Sequence, residues 1–420
     1  MKVVVMGAGV IGTATAWYLN QEGHEVTVLD RNAGAARETS FGNGGQISVS
    51  HAEPWANPSA PLKLLKWLGR EDAPLLFRLR ADPVQWRWGL KFLMECSAAR
   101  SKHNMTQLLN LGTYSRTSLQ ALRRDTGIEY NHLEKGILHY YTSQKEFDLS
   151  LEPARIMREL GCERQVITAD EVVRIEPAMA HIRSRLVGAT YTSADESGDV
   201  HKFTTGLAKL ATGKGVQFLY GVRIQALRAE NGKMTGVEIA GENGMYETLR
   251  ADAYVLAAGS FSTLLARQIG VGLDIYPAKG YSATLPVLDA SVAPQVSLTD
   301  DEYKLVFSRF GDRLRIAGTA ELNGYGLELN RVRCDAIVRR TLEVFPGVSR
   351  PELASYWAGL RPATPGNVPY IGRSKIEGLY LNTGHGTLGW THGCGSGKAL
   401  SDIISGRHPE VDFAFCGKKR

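Results

Sequence analysis

A chain of 420 residues with 43% hydrophobic and 22% charged side chains has the balance of a folded globular protein, with material for two or three domains. That balance excludes disorder as the main state, and 45 glycines without a G-X-Y period exclude collagen. The formal net charge of +6 is mild and leaves acidic substrates or anionic surfaces open without selecting one.

Lys2–Met6 is a β-branched run and reads as a strand. Gly7-Ala8-Gly9-Val10-Ile11-Gly12 follows, then a helix over Thr13–Glu22 stopped by Gly23, then a strand over Glu25–Leu29 ending at Asp30. This order of strand, GxGxxG, helix, strand and acid is that of a dinucleotide site. Gly7 permits the tight turn, Gly9 lets backbone approach a pyrophosphate, and Gly12 lets helix and strand pack closely. The amides of Val10 and Ile11 open the helix, whose N-terminus favours phosphate. Asp30 suits ribose hydroxyls and repels a 2′-phosphate; Arg31 beside it argues the other way, although a lone arginine there is more often solvated, and it is kept among the cofactor-side residues. The glycines also interrupt the apolar N-terminus, so a signal peptide is not expected. Five cysteines without a CxxC fit a reducing compartment, and the expected location is cytoplasmic. No run of 18 apolar residues predicts a membrane span, and no metal-ligand spacing or nucleic-acid motif is present in the sequence.

Residues 38–48 form a polar loop with Gly42, Gly44 and Gly45, which predicts close backbone approach to something flat or charged. Residues 61–103 carry nine Lys/Arg against four Asp/Glu, with Trp67, Trp86 and Trp88, and Trp55 just upstream. Leu64, Leu65, Trp67 and Leu68, then Leu90, Phe92 and Leu93, read as amphipathic helices. Two readings stand: a peripheral patch for an anionic membrane, or helices of a substrate domain with aromatic core residues. Helix continues over Asn104–Thr126. Gly136–Tyr141 reads as a strand, Glu152–Leu160 and Phe203–Ala211 as helices, and Gly215–Leu219 as a strand. Val222–Leu227, Met234–Ile239 and Tyr246–Leu249 suggest a small meander. Asp252–Ala257 is a buried strand ending in Ala258-Gly259, and Gly259 is a further point of approach to a cofactor. Leu379–Asn382 is a strand followed by Thr383-Gly384-His385-Gly386-Thr387-Leu388-Gly389-Trp390-Thr391 and a helix to about Ile404. A second helix N-terminus behind a glycine-rich loop suits a second anionic centre. A reduced flavin has one at its N1–C2=O edge, which favours FAD over NAD.

Five segments together resemble the bacterial D-amino acid dehydrogenases of the FAD-dependent D-amino acid oxidase and glycine oxidase superfamily. These are Gly7–Gly12 with Asp30, Glu38-Thr39-Ser40 with Gly45-Gln46-Ile47-Ser48, Tyr276–Ser282, Gly359–Pro365 and Leu381–Thr391. The match runs to about Gly406. It departs at Gly42 and Gly44, where alanines are usual, and at His392-Gly393, which replaces a more usual Met-Ala.

The resemblance implies an α/β (α+β overall) fold. A Rossmann-like FAD-binding domain (1–60, 193–265 and 350–420) joins a substrate domain on a mixed or antiparallel sheet (61–192 and 266–349). It implies oxidation of a D-amino acid by hydride transfer from Cα to flavin N5, with hydrolysis to a 2-oxo acid and ammonia. Electrons leave to a quinone or respiratory-chain acceptor, with peripheral contact at the inner membrane through 61–103. Arg361 is expected to grip the substrate carboxylate, because a planar guanidinium does so bidentately. Tyr276 and Tyr281 are expected on the substrate side, and Gln46 near the flavin's reactive face. Thr39, Ser40, Gly44, Gly45 and Ile47 are expected on FAD, as are Gly386, Thr387, Leu388, Gly389 and Thr391. His385 reads as positional in this loop rather than as a base. A dehydrogenase for D-proline or cis-4-hydroxy-D-proline, a glycine/sarcosine-type oxidase, and a flavin-binding electron-transfer subunit remain as alternatives.

Overall fold

The computed structural model describes residues 1–67, 71, 75–241 and 246–417, with the backbone alone for Leu65 and Trp67. Leu68, expected to extend an amphipathic helix, lies outside the described residues. A six-stranded sheet runs in the order Tyr370–Arg373, Leu379–Thr383, Ala253–Leu256, Lys2–Met6, Glu25–Leu29, Gln217–Leu219. All its pairings are parallel except the first. The central Val3–Met6 run is buried throughout, as a parallel strand covered on both faces must be. The expected βαβ unit is present. Its helix starts at Val10, three residues earlier than the apolar spacing suggested, because Gly9 in extended conformation already serves as its cap.

That helix, Val10–Gln21, crosses the Gly389–Ile404 helix at very short range. A Cβ on Gly397 would lie 2.9 Å from the Ala14 carbonyl carbon, and one on Gly393 would lie 3.1 Å from Val10 Cγ2. Gly395 faces the long Ala98–Thr126 helix, where a Cβ would lie 2.6 Å from Ser115 Cα. These three glycines sit where helix meets helix, not where backbone meets a nucleotide. The glycine excess at 384–397 is therefore shared between loop geometry and interhelical packing.

The second large sheet has nine strands. Its path runs Ser355–Ala363, Tyr276–Pro286, Arg313–Leu322, Leu305–Phe310, Ser297–Asp300, Ile137–Tyr141, Gly188–Thr192, Gln165–Ile167, and Leu75–Phe77 adds to Arg313–Leu322. It is mainly antiparallel, with parallel pairings at Ser297–Asp300/Ile137–Tyr141 and Leu75–Phe77/Arg313–Leu322. Arg223–Glu230, Lys233–Ala240 and Tyr246–Leu249 form the expected antiparallel meander.

Two segments depart from the expected partition. Ser355–Ala363, placed with the nucleotide-binding segments, pairs along its whole length with Tyr276–Pro286 of the nine-stranded sheet. The Ala98–Thr126 helix, placed with the substrate segments, buries Leu111, Leu119 and Leu122 in the core of the six-stranded sheet and its helices. Pairing partners and burial faces are long-range properties, and chain position carries neither. Among the described residues, no helix is long and apolar enough to cross a membrane.

Candidate active site

A cavity of about 750 Å³ lies between the nine-stranded sheet and the loops at 39–57 and 386–391. Thr39, Gly44, Gln46, Tyr281 and Arg361 line it, as do Gly386, Thr387, Leu388 and Thr391. Sequence positions far apart thus meet at one surface.

Arg361 is a cation of its wall. The Ser355–Ala363 strand carries it, and its guanidinium lies across Gly280, where a Cβ would come within 2.4 Å of Cζ. Its hydrogen bonds go to backbone carbonyls, NH1 to Thr319 O at 2.7 Å and NH2 to Gly318 O at 3.4 Å. Among the described residues no carboxylate forms an ion pair with it. Burial, and then the nearby Arg333 charge, pull its pKa down to about 10, so it stays cationic at neutral pH. A cation held without a counter-ion in a cavity wall is suited to an anionic ligand group.

The two tyrosines separate. Tyr281 borders the cavity, but its ring is buried with Ala283, Leu285, Phe307 and Ile337 on the sheet face opposite the Arg361 guanidinium, and its hydroxyl donates to Glu321 Oε2 at 2.5 Å. Glu321 also accepts from Arg78 Nε at 2.8 Å and pairs with Lys279 Nζ at 3.1 Å. Burial raises the Glu321 carboxyl, but these donors outweigh it and hold the pKa below the usual range. Tyr276 is a correction. It does not line the cavity but packs with Trp88, Phe92 and Ala363, and its hydroxyl reaches Asp82 Oδ2 at 3.4 Å. The two residues lie five apart on one strand, so their side chains point to opposite faces. Gln46 lines the cavity, with Nε2 donating to Ser297 Oγ, Leu298 O and Thr299 Oγ1 at 3.1–3.3 Å.

On the nucleotide side, Gly7 turns at φ +113°, and a Cβ on Gly12 would lie 1.8 Å from Gly7 O. Asp30 Oδ2 accepts from the Ala8 amide at 2.8 Å, and Oδ1 accepts from the Asn32 amide at 2.8 Å. Arg31 is exposed, yet it has partners within the chain. It pairs with Glu38, Nε to Oε1 at 2.6 Å, and its guanidinium stacks 4.0 Å over the Phe261 ring. Ser40 Oγ accepts from the Val10 amide at 3.1 Å, and Thr39 Oγ1 donates to Leu360 O at 2.8 Å. Ile47 is fully buried in a two-stranded ribbon with Glu196–Ser197. Gly259 has φ +54° and accepts from Thr383 Oγ1 at 3.2 Å. Gly386 donates to Pro362 O at 3.0 Å, Gly389 opens the last helix, and Thr391 Oγ1 accepts from the Ser48 amide at 3.0 Å.

The loop glycines at 42–45 have another reason to be small. A Cβ on Gly42 would strike the Trp357 ring at 2.1 Å, one on Gly44 Val306 Cγ2 at 2.4 Å, and one on Gly45 the Phe310 ring at 2.3 Å. The flat partner expected for this loop includes the protein's own aromatic side chains.

These parts fit FAD. Neither N-cap residue, Gly9 or Leu388, caps its helix with a side chain, and although Ser40 takes the Val10 amide, the next amides of both helix ends are there to meet an anionic group. The second end stands at the cavity, beside Leu388 and Thr391.

One feature of the cavity had no motif to announce it. His51, His139, Arg164, Asp301 and Lys304 line its far wall. His139 Nδ1 bonds Asp301 Oδ2 at 2.8 Å, Tyr141 donates to the same oxygen at 2.9 Å, and Lys304 Nζ reaches Oδ1 at 3.0 Å. The His51 and His139 rings stack at 5.7 Å. Burial, then the His139 charge, lowers His51 to about 3, and burial with Arg164 lowers His139 as well. Both imidazoles are neutral at pH 7. The loop carrying His51 is pinned by buried Asp195, which accepts from the amides of Val49 and Ser50 at 3.1 Å and pairs with Arg116 at 3.2 Å.

His385 is buried with neither ring nitrogen bonded, and burial holds its pKa well below the usual value. It is not among the cavity-lining residues. His392 donates from Nε2 to Leu108 O at 3.2 Å, and burial lowers its pKa to about 4. The unfolded chain therefore binds this proton near pH 6.5 while the native state refuses it until about pH 4. Stability is expected to fall as pH drops through that window, with His392 contributing up to about 3 kcal/mol. His392→Gln, which retains a donor, is expected to flatten the Tm–pH curve between pH 6.5 and 4. Parallel curves for the two proteins would refute the assignment.

Comparison with known proteins follows this geometry. The family described as FAD dependent oxidoreductase matches residues 2–403. A D-amino acid dehydrogenase of Dechloromonas aromatica (strain RCB) is 57% identical over 415 residues, 99% of each chain. One of Paramagnetospirillum magneticum (strain ATCC 700264 / AMB-1) is 53% identical over 421 residues, covering 100% of this chain and 99% of that one. Among solved structures, glycine oxidase from Bacillus cereus ATCC 14579 superposes with TM-score 0.72 at 23% identity, over 96% of this chain and 95% of that one. L-proline dehydrogenase from P. horikoshii superposes with TM-score 0.75 at 17% identity, over 97% and 94%. At these identities the superpositions speak for the fold alone.

Proposed function

The chain belongs to the FAD dependent oxidoreductase family, and from that premise we propose that it oxidises D-amino acids to 2-oxo acids and ammonia and passes the electrons to a quinone. The names of its relatives support the substrate class. The observation that carries the reading is Arg361, a cation in the cavity wall whose bonds go only to carbonyls.

Bound FAD would supply the two-electron acceptor for the hydride that leaves Cα, the second proton leaving from the amine nitrogen. The chain's own work is placement. Arg361 takes the α-carboxylate, and the fixed guanidinium plane sets which face of Cα points inward. Gln46, held by Ser297 and Thr299, stands fixed in the cavity wall and limits how the substrate tilts. The amine must be neutral before Cα–H leaves, and no protein base on Cα is needed. The uncapped end of the Gly389–Ile404 helix stabilises negative charge at the cavity's edge. The substrate's imino product hydrolyses outside any step that demands a side chain.

The quinone reading is supported by the exposed face of the Pro83–Glu95 helix. Its inner side buries Trp88 and Phe92, while Trp86, Leu90, Leu93 and Met94 stand out at helical spacing, Met94 being 74% exposed. Arg87 and Lys91 flank them and pair only in part with Asp274. A helix apolar on both sides and basic at its edge matches an anionic lipid surface. Vesicles containing anionic phospholipid are expected to float the protein, and Leu90→Glu with Met94→Glu to leave it at the bottom. Equal flotation of both proteins would remove this surface from the account. With a D-amino acid present, reduction of a short-chain quinone is expected to outpace oxygen consumption at least about tenfold. Faster peroxide formation would favour an oxidase.

A further inference from the structure

The strand beneath Arg361 is irregular at one place, and that place is where the guanidinium rests. On the Tyr276–Pro286 strand, Tyr281 stands opposite Gly318 and Lys279 opposite Glu321. Gly280 therefore faces both Thr319 and Ala320, two residues against one, which makes a β-bulge. The other edge of the Arg313–Leu322 strand changes neighbour at the same point. Gly318 still pairs with Leu305, while Ala320 pairs with Leu75. Thr319 is the residue between.

Its backbone is strained. Thr319 has φ +50°, a left-handed conformation that a β-branched residue rarely adopts. Such strain persists where the surroundings hold it, and it gathers at functional sites. Here the Thr319 amide donates to Lys304 O at 3.3 Å, and its carbonyl accepts from Arg361 Nη1 at 2.7 Å. Gly318 must stay bare, because a Cβ there would lie 2.3 Å from Lys304 O. In a regular strand successive carbonyls point to opposite edges. At this bulge the carbonyls of Gly318 and Thr319 meet the same guanidinium, at 3.4 and 2.7 Å.

Gly280, opposite the bulge, completes the arrangement. A Cβ there would lie 2.4 Å from Arg361 Cζ, 2.5 Å from Nη2 and 2.6 Å from Nη1. Distances so nearly equal mean that the guanidinium lies face-down on the bare glycine. Gly280, Gly318, Thr319 and Arg361 all line the cavity. The carbonyls take one N–H from each terminal nitrogen, which leaves Nε–H and the other two for a ligand.

We propose that Gly280 and Thr319 are positioning residues, a bare glycine and a strained bulge that together seat Arg361, fix the plane of its guanidinium and so set the hand of the amino acid it holds. This rests on Arg361 taking the α-carboxylate. Neither residue needs to touch the substrate.

The test is a double-mutant cycle of Gly280→Ala with Arg361→Ala in the FAD-loaded enzyme, on D-alanine, D-methionine and D-phenylalanine. The added methyl meets the far end of a flexible side chain, so the fold absorbs it and the guanidinium lifts. Gly280→Ala is expected to lower kcat/KM about tenfold through KM, the worth of one charge-assisted hydrogen bond. In the Arg361→Ala background it is expected to change kcat/KM by less than about twofold, because the atoms it would strike are gone. Thr319→Gly is expected to stay within about twofold of wild type, since glycine takes this φ freely. Anaerobic bleaching by D- and L-methionine is expected to show a smaller D preference in Gly280→Ala than in wild type. Equal losses in both backgrounds would make Gly280 merely structural and overturn the proposal. So would no loss in either, a clear loss in Thr319→Gly, or an undiminished D preference in Gly280→Ala. If Arg361→Ala lowers kcat/KM and Gly280→Ala does not, only this inference fails. If Arg361→Ala itself changes nothing, the carboxylate role beneath it fails too.

Discussion

Arg361→Ala is expected to raise KM for a D-amino acid by about 10- to 100-fold, the equivalent of roughly 1.5–3 kcal/mol for a hydrogen bond to a charged group. The guanidinium has no carboxylate partner among the described residues, and its two carbonyl partners fix its plane without neutralising it. Removing it strips the anchor and leaves no buried counter-ion behind. The same fact predicts an unusual stability result. Most buried arginines are paired, and truncation strands a carboxylate at a cost of several kcal/mol. Here truncation removes an unanswered charge, so Tm is expected to hold or rise. Arg361→Lys is expected to fall between wild type and alanine, because a point charge cannot grip a carboxylate in two places. An unchanged KM in Arg361→Ala would refute the carboxylate role, whatever the Tm.

Gly12→Ala is expected to lose most of its flavin on purification. A methyl group there would sit 1.8 Å from Gly7 O and 3.4 Å from Val5 Cγ1. Either the Gly7 turn opens or the helix lifts from the strand, and both displace the amides at the helix N-terminus. The measurement is the ratio of flavin to protein absorbance. Wild type is expected near one flavin per chain and the variant below about a tenth of that, with a stability loss of about 1–3 kcal/mol from overpacking. Gly89→Ala is the matched control. Nothing lies within 4 Å of a Cβ at Gly89, and its place inside the Pro83–Glu95 helix predicts a gain of about 0.5–1 kcal/mol. Full flavin occupancy in Gly12→Ala would show that the loop tolerates a side chain.

The first thirty residues were readable because their signals are local. A buried strand, a glycine turn, a helix and an acid follow each other within reach of one another, and the structure reproduces them to within three residues. The last helix was readable for the same reason. What escaped was everything decided by distant partners. Tyr276 and Tyr281 look alike in sequence, yet one packs under Trp88 and the other is buried with Phe307 and Ile337 on the opposite side of the sheet, because the strand's two faces meet different layers. Gly42, Gly44 and Gly45 announced a close approach, but Trp357, Val306 and Phe310 are the near neighbours seen in the fold. Ser355–Ala363 joins the nine-stranded sheet because Tyr276–Pro286 offers it a free edge. The polar far wall was invisible because Glu53, His139, Arg164 and Asp301 come from four separate elements. No spacing in the chain predicts that they share a cavity.

The central claim is that Arg361 and the flavin face one substrate of a single hand. Anaerobic mixing of the FAD-loaded enzyme with matched D- and L-amino acids tests it most directly, read as loss of the oxidised flavin band. The account predicts rapid bleaching by the D enantiomer, little by the L enantiomer, and saturation at far higher concentration in Arg361→Ala. A flavin that no D-amino acid bleaches, or that both hands bleach alike, would contradict it.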